Sequence, residues 1–130
     1  MVKKKVVLVD TDIFIKTFRG DKIHRKNLDS LKGNIAISAI SVLELYQGAK
    51  SKRRIYDLAK QLRAYYILHV NEEISMRACT LMKKYGSKFP LLPPDCLIAA
   101  TSLHHGLQLY TDNKQDFEFI ETLNFYQPNT

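Results

Sequence analysis

The sequence predicts an α/β fold built around a central parallel sheet, and three observations carry that reading. Residues 6–9 (Val, Val, Leu, Val) are short, β-branched and apolar on both faces, as a strand buried between two layers of helices requires. Segments with a helical apolar period alternate with such runs along the chain, and this alternation implies parallel strands joined by right-handed crossovers. The 130 residues, 45% hydrophobic and 25% charged, contain no repeat, linker or low-complexity tract, so residues 1–130 read as one domain.

The elements follow in order. The strand at 6–9 ends at Asp10, and a helical segment opens at Asp12, Ile13 and Phe14. Residues 35–37 are a second strand candidate, followed by the helical stretch from Ile40 to Tyr46. Ile55, Leu58, Ala59 and Leu62 form one amphipathic stripe, with Arg54, Asp57, Lys60 and Gln61 opposite. A third strand is expected over residues 67–70. Asn71 then caps a helix whose first turn holds Glu72 and Glu73 and whose apolar stripe is Ile74, Ala78, Leu81 and Tyr85. Pro93 and Pro94 are tolerated only in a first turn, so they open another helix, which closes near His104 and His105. Residues 107–110 form a further strand and residues 123–126 an edge strand.

Charge is distributed unevenly. The net charge is +7, but residues 1–88 carry 19 basic and 8 acidic side chains, whereas residues 89–130 carry one lysine and five acids. The basic excess suits a polyanion such as nucleic acid, although the same lysines and arginines also serve to solvate helix faces. The longest stretch without charged residues, 96–111, holds Thr101, Ser102, His104, His105 and Gln108 and is a poor membrane span. The apolar run at 6–9 is too short for a signal peptide, so the cytosol is the expected compartment. Cys79 and Cys96, in no metal-type spacing, read as small buried hydrophobes.

Solvation does not account for all of the acids. Asp10 closes the first strand, where α/β proteins place their ligand crevice, although it also suits a helix cap. Glu44 sits among apolar neighbours in the 40–46 helix, where it can also face water. Asp95 follows Pro93 and Pro94 and leads a helix apolar enough to be buried, so it needs a partner. Asp116, three residues past Asn113, follows the last inner strand, where a solvated turn is the other reading. A parallel sheet would gather all four at one end. Such a cluster repels itself unless a hard divalent cation neutralises it, and oxygen ligands without Cys or His suit Mg²⁺ or Mn²⁺.

Four segments in order, Leu8-Val9-Asp10-Thr11-Asp12, Ser41-Val42-Leu43-Glu44-Leu45 with Gly48, Pro94-Asp95-Cys96-Leu97-Ile98-Ala99-Ala100-Thr101, and Thr111-Asp112-Asn113-Lys114-Gln115-Asp116-Phe117, span nearly the whole chain. With them the sequence resembles the PIN-domain family, and within it the VapC-type toxins of toxin–antitoxin pairs. The resemblance implies a three-layer α/β/α sandwich with about five parallel strands and Mg²⁺-dependent ribonuclease activity. It carries over to Asp10, Glu44, Asp95 and Asp116 as the acidic core, to Asn113 and Thr111 as support for the fourth acid, and to Thr11 as a residue orienting ligands beside Asp10. Asp12 stands where such proteins often have Asn or Ser, and Asp112 offers a second acid near the fourth position. The resemblance also implies a homodimer and a cognate antitoxin covering the acidic site, for which Ile13, Phe14 and Phe18 are contact or core residues.

Metal-activated water at these acids would cleave RNA in line, leaving 5′-phosphate and 3′-hydroxyl ends. Two other enzymes compete less well. Asp10-Thr11-Asp12 also opens a haloacid-dehalogenase-type phosphatase, which would want Thr or Val at Phe14 and a larger chain. A receiver domain would need an acid closing a middle strand, whereas Asp57 lies within a helix. A non-catalytic RNA- or protein-binding module on the same fold is the alternative from another class.

Overall fold

The computed structural model describes residues 5–128. Four parallel strands make the sheet: β1 (Val7–Val9), β2 (Ile35–Ser38), β3 (Tyr66–Leu68) and β4 (Gln108–Tyr110), in the order β3-β2-β1-β4. Helices α1 (Thr11–Phe18) and α2 (Lys22–Ser30) connect β1 to β2, and α3 (Ala39–Ala49) and α4 (Lys52–Leu62) connect β2 to β3. Helices α5 (Glu72–Tyr85) and α6 (Pro93–His105) lead from β3 to β4.

The alternation of strand side chains creates two cores and therefore three layers. Val7, Val9, Ile35, Ile37 and Tyr110 face one way and pack with Ile13, Phe14, Leu28, Leu45, Leu58 and Leu62 from the first four helices. Leu8, Ala36 and Leu109 face the other way and pack with Ile74, Ala78, Leu81, Ile98 and Ala99 from α5 and α6. Ile13 and Phe14 are thus fully buried core residues with no surface for a partner, and only Phe18 is partly exposed.

Side chains set the helix boundaries as the residue pattern suggests. Asn71 accepts from Ile74 N–H at 2.8 Å, Pro93 and Pro94 open α6, and left-handed Gly106 closes it. Helix α2, which the periodicity does not reveal, is capped by Asp21 through His24 N–H at 2.9 Å.

Two expectations are corrected. The segment expected as a fifth strand pairs with β4 at a single bridge, Leu109 to Phe125. Leu109 N–H reaches Asn124 O and Tyr126 N–H reaches Leu109 O, but the ladder cannot extend. On one side Pro128 has no N–H to donate, and on the other Leu107 N–H is already bonded to Ser102 O. Cys79 is exposed, because α5 buries Ile74, Ala78 and Leu81 and residue 79 lies about 100° around the helix from Ala78. Cys96 is buried and its thiol donates to Ala78 O at 3.1 Å.

Phe14 is, with Phe117, one of the two largest fully buried side chains and packs α1 against Tyr65, with ring centroids 5.3 Å apart. Phe14→Ala should lower unfolding free energy by about 3–5 kcal/mol in urea melts. A loss below about 1 kcal/mol would mean that α1 is not held by this contact.

Candidate active site

The first acid is fixed from both sides. Asp10 ends β1 and caps α1, with Oδ1 accepting from Thr11 N–H and Oδ2 from Thr111 Oγ1, each at 2.8 Å. Thr111 Oγ1 in turn accepts from Asn113 N–H at 3.0 Å, so Asn113 enters this corner through its backbone. Asp10 is 5% exposed.

Glu44 lies in α3, and its carboxylate is tied to α1. Thr11 Oγ1 is 2.7 Å from Glu44 Oε1 and 2.7 Å from Ser41 Oγ. The carboxylate can only accept, so the single Thr11 proton goes to Glu44 and Ser41 donates to Thr11. The buried Ser41 is therefore part of the site's support, a residue that no charge or metal-ligand pattern singles out.

Asp95 is in the first turn of α6. Because α6 ends where β4 begins, its N-terminus lies at the carboxyl end of the sheet, beside Asp10. Asp116 closes a 3₁₀ turn, Lys114–Asp116, in the segment after β4. These side chains share one electrostatic environment. Burial first, then the charges of Asp116, Glu44 and Asp12, push Asp95 up to about 6. Burial, then Asp12 and, more weakly, Asp95, push Asp10 up to about 7, against the hydrogen bonds from Thr111 and Thr11.

Two further acids border the cluster and differ in kind. Asp112 Oδ2 is 2.6 Å from both Lys16 Nζ and His24 Nε2, and these partners hold it below the ordinary carboxylate value despite burial. Asp12 Oδ2 accepts from Asp112 N–H at 3.1 Å, while its Oδ1 is buried with no hydrogen-bond partner. Burial and then the Asp112 charge raise the Asp12 pKa. Among the described residues none of Asp10, Asp12, Glu44, Asp95 or Asp116 has an ion-pair partner.

Oxygen donors, mutual repulsion and an orphaned buried carboxylate oxygen fit a hard divalent cation. Among the described residues no three Asp, Glu, His or Cys side chains already converge on one coordination point. That openness is compatible with Mg²⁺, which retains several waters and takes only one or two carboxylates directly. A groove of about 460 Å³ opens beside Glu44 between α1, α3 and α4, with Ile15, Phe18, Leu45 and Leu58 on its apolar wall.

Below the ordinary value of 3.8, Asp10 is neutral whether folded or unfolded. Between 3.8 and about 7 only the folded chain keeps the proton, so this group lowers stability as pH rises through that window. Asp95 acts in the same sense from 3.8 to about 6. In EDTA, Asp10→Asn should therefore gain stability over the parent by several degrees of Tm at pH 8, and less at pH 5. A Tm difference that does not widen with pH would show that Asp10 is not strained in the metal-free protein.

Residues 7–121 match the family model of the PIN domain. Ribonuclease VapC1 of Methanocaldococcus jannaschii is 28% identical over 118 residues, covering 88% of this chain and 81% of the relative. A toxin–antitoxin complex from Klebsiella pneumoniae contains a chain that is 30% identical with a TM-score of 0.80, over 95% of this chain and 98% of that one. VapBC2 from Rickettsia felis, bound to a DNA fragment from its promoter, aligns with a TM-score of 0.81 at 25% identity, over 95% and 99% of the two chains. With the three-layer parallel architecture, the acids at one end of its sheet and a match over nearly its whole length, the chain belongs to the PIN-domain family.

Proposed function

We propose that the protein is a Mg²⁺-dependent endoribonuclease and the toxin of a type II toxin–antitoxin pair. The observation that carries this reading is the set of carboxylates Asp10, Glu44, Asp95 and Asp116, which have no ion-pair partner among the described residues, with burial and neighbouring carboxylates raising the proton affinity of Asp10 and Asp95. The relative named a ribonuclease and the neighbours from toxin–antitoxin complexes support it.

In this reading Asp10, Glu44, Asp95 and Asp116 hold the metal, with Mn²⁺ as a substitute. When bound, a divalent cation supplies charge neutralisation on the phosphodiester and lowers the pKa of water. The chain's own residues do the rest. Thr11 and Thr111 keep the carboxylates of Glu44 and Asp10 from rotating out of the crevice. Asn113 holds Thr111 in place, and basic side chains of residues 1–88 draw the RNA backbone to a crevice that would otherwise repel it. Asp112, already held by Lys16 and His24, is left out of the metal set in favour of Asp116.

The groove beside Glu44 is the surface proposed for the antitoxin, which would cover the acids from there. We assign the active form to a homodimer acting in the cytoplasm. The absence of three converged acidic, His or Cys ligands among the described residues also fits a second reading, a PIN-like module that binds RNA or protein without cutting.

Cleavage of an RNA panel in Mg²⁺ separates the two readings. Asp95→Asn and Asp116→Asn should each cut kcat by about 100-fold or more. EDTA should abolish cleavage, and Asp112→Asn should stay within about tenfold of the parent, since no catalytic contact is lost. Undiminished cleavage in EDTA and in both acid variants would exclude the metal mechanism. RNA binding in EDTA with no cleavage in Mg²⁺ would favour the binding module.

A further inference from the structure

Tyr85, Phe89 and Phe119 form an aromatic cluster that the acidic site does not use. Phe89 lies flat on Phe119, with centroids 4.3 Å apart and planes 2° apart, and Tyr85 meets both rings at a tilt. Phe89 nevertheless remains 39% exposed. One of its faces is covered by Phe119 and Tyr85 lies beside it, so the exposed part is chiefly the opposite face.

The position of this face follows from helix packing. Glu73 at the start of α5 pairs with His104 at the end of α6 at 3.5 Å, and Ala78 meets Cys96, so the two helices run antiparallel. The end of α5 and the start of α6 therefore lie together at the carboxyl end of the sheet. Residues 86–92, which carry Phe89, join them and lead directly to Asp95. Phe119 stands three residues beyond Asp116. The ring stack thus ties together the two segments that deliver Asp95 and Asp116.

The surrounding charge decides between occupants. Lys83 and Lys84 in the last turn of α5 and Lys88 in the connecting segment are exposed, and none has an acidic partner among the described residues. Lys84 Nζ sits 5.2 Å from the centre of the Tyr85 ring. Glu118 and Glu121 are exposed on either side of Phe119 in the sequence, but the three lysines outnumber them. An exposed aromatic face in a net positive stretch complements a polyanion carrying flat rings better than an apolar helix, and single-stranded nucleic acid is bound by this combination of stacking and charge.

We propose that Phe89, backed by Phe119, is a stacking platform for an unpaired base of the RNA substrate, next to the phosphodiester held at Asp95 and Asp116. The lysines would hold the backbone of the same strand. This assignment rests on the ribonuclease reading above and makes Phe89 a substrate-positioning residue, with no part in the bond cleavage itself. Stacking on a ring face tolerates any base, so the platform favours unpaired over duplex RNA and leaves base identity to other contacts.

The test uses the full chain in EDTA with a single-stranded oligouridine decamer carrying one 2-aminopurine, whose fluorescence is quenched by stacking. The parent should bind and quench. Phe89→Ala and Phe89→Leu should each lose the quenching and weaken binding about tenfold, the value of one stacked base. Phe89→Tyr should restore both. Phe89→Leu keeps an apolar side chain against Phe119, so a loss there reports the missing ring face rather than a disturbed fold.

In Mg²⁺ the same variants should raise KM for unpaired RNA about tenfold with kcat within about twofold. Parent-like quenching and KM in Phe89→Leu and Phe89→Ala, with the parent still cleaving RNA, would overturn the platform and leave the nuclease reading standing. No binding or cleavage of RNA by the parent would overturn both. Loss of self-association in place of loss of quenching would assign the ring face to a second copy of the chain and overturn the proposal.

Discussion

Repulsion among carboxylates confined to the carboxyl end of the sheet is the constraint around which this molecule is arranged. Each acid arrives on a different segment, and parallel strand direction forces those segments to one end. Burial removes the water that would screen them, so Asp10 and Asp95 hold their protons up to about 7 and about 6. The fold tolerates this because neutral donors support individual carboxylates: the Thr11 N–H and Thr111 hydroxyl for Asp10, and the Thr11 hydroxyl for Glu44. None of these donors carries a charge, so they orient the carboxylates without compensating the repulsion among them.

The two cores hold the acids in place. Val9 is buried immediately before Asp10, and Phe14 fixes the helix that Asp10 caps, so this carboxylate sits between two immobile elements. Small side chains in α6, Ala99, Ala100, Thr101 and Ser102, are all buried and let that helix lie close on the sheet. Asp95 is carried in with it. The same acids at the end of flexible loops could swing apart and relieve their repulsion.

Charge elsewhere in the chain complements this arrangement. The basic excess of residues 1–88 attracts a phosphate backbone, while the crevice itself repels phosphate until its acids are neutralised. Asp112 shows how an acid leaves such a cluster: two basic side chains, Lys16 and His24, satisfy it on the spot, and its pKa falls where those of Asp10, Asp12 and Asp95 rise.

Local sequence alone was sufficient for features that depend on neighbours along the chain. The doubly apolar run before Asp10, the Asn71 cap, the paired prolines opening α6 and the i, i+4, i+7 stripe of α5 are all short-range signals of backbone geometry and burial, and they place Asp10 and Asp95 at element ends. Features that depend on distant partners were not legible in this way. Nothing local distinguishes Asp116 from Asp112, because the difference lies in Lys16 and His24, about 90 residues away. Ser41 looks like any helical serine until Thr11 meets it across the crevice. The final edge strand fails because Leu107 N–H is already engaged and Pro128 has none, which only the register against β4 reveals. Periodicity and capping are written in consecutive residues, whereas which charges are compensated is decided only when the tertiary fold brings their partners within a few ångströms.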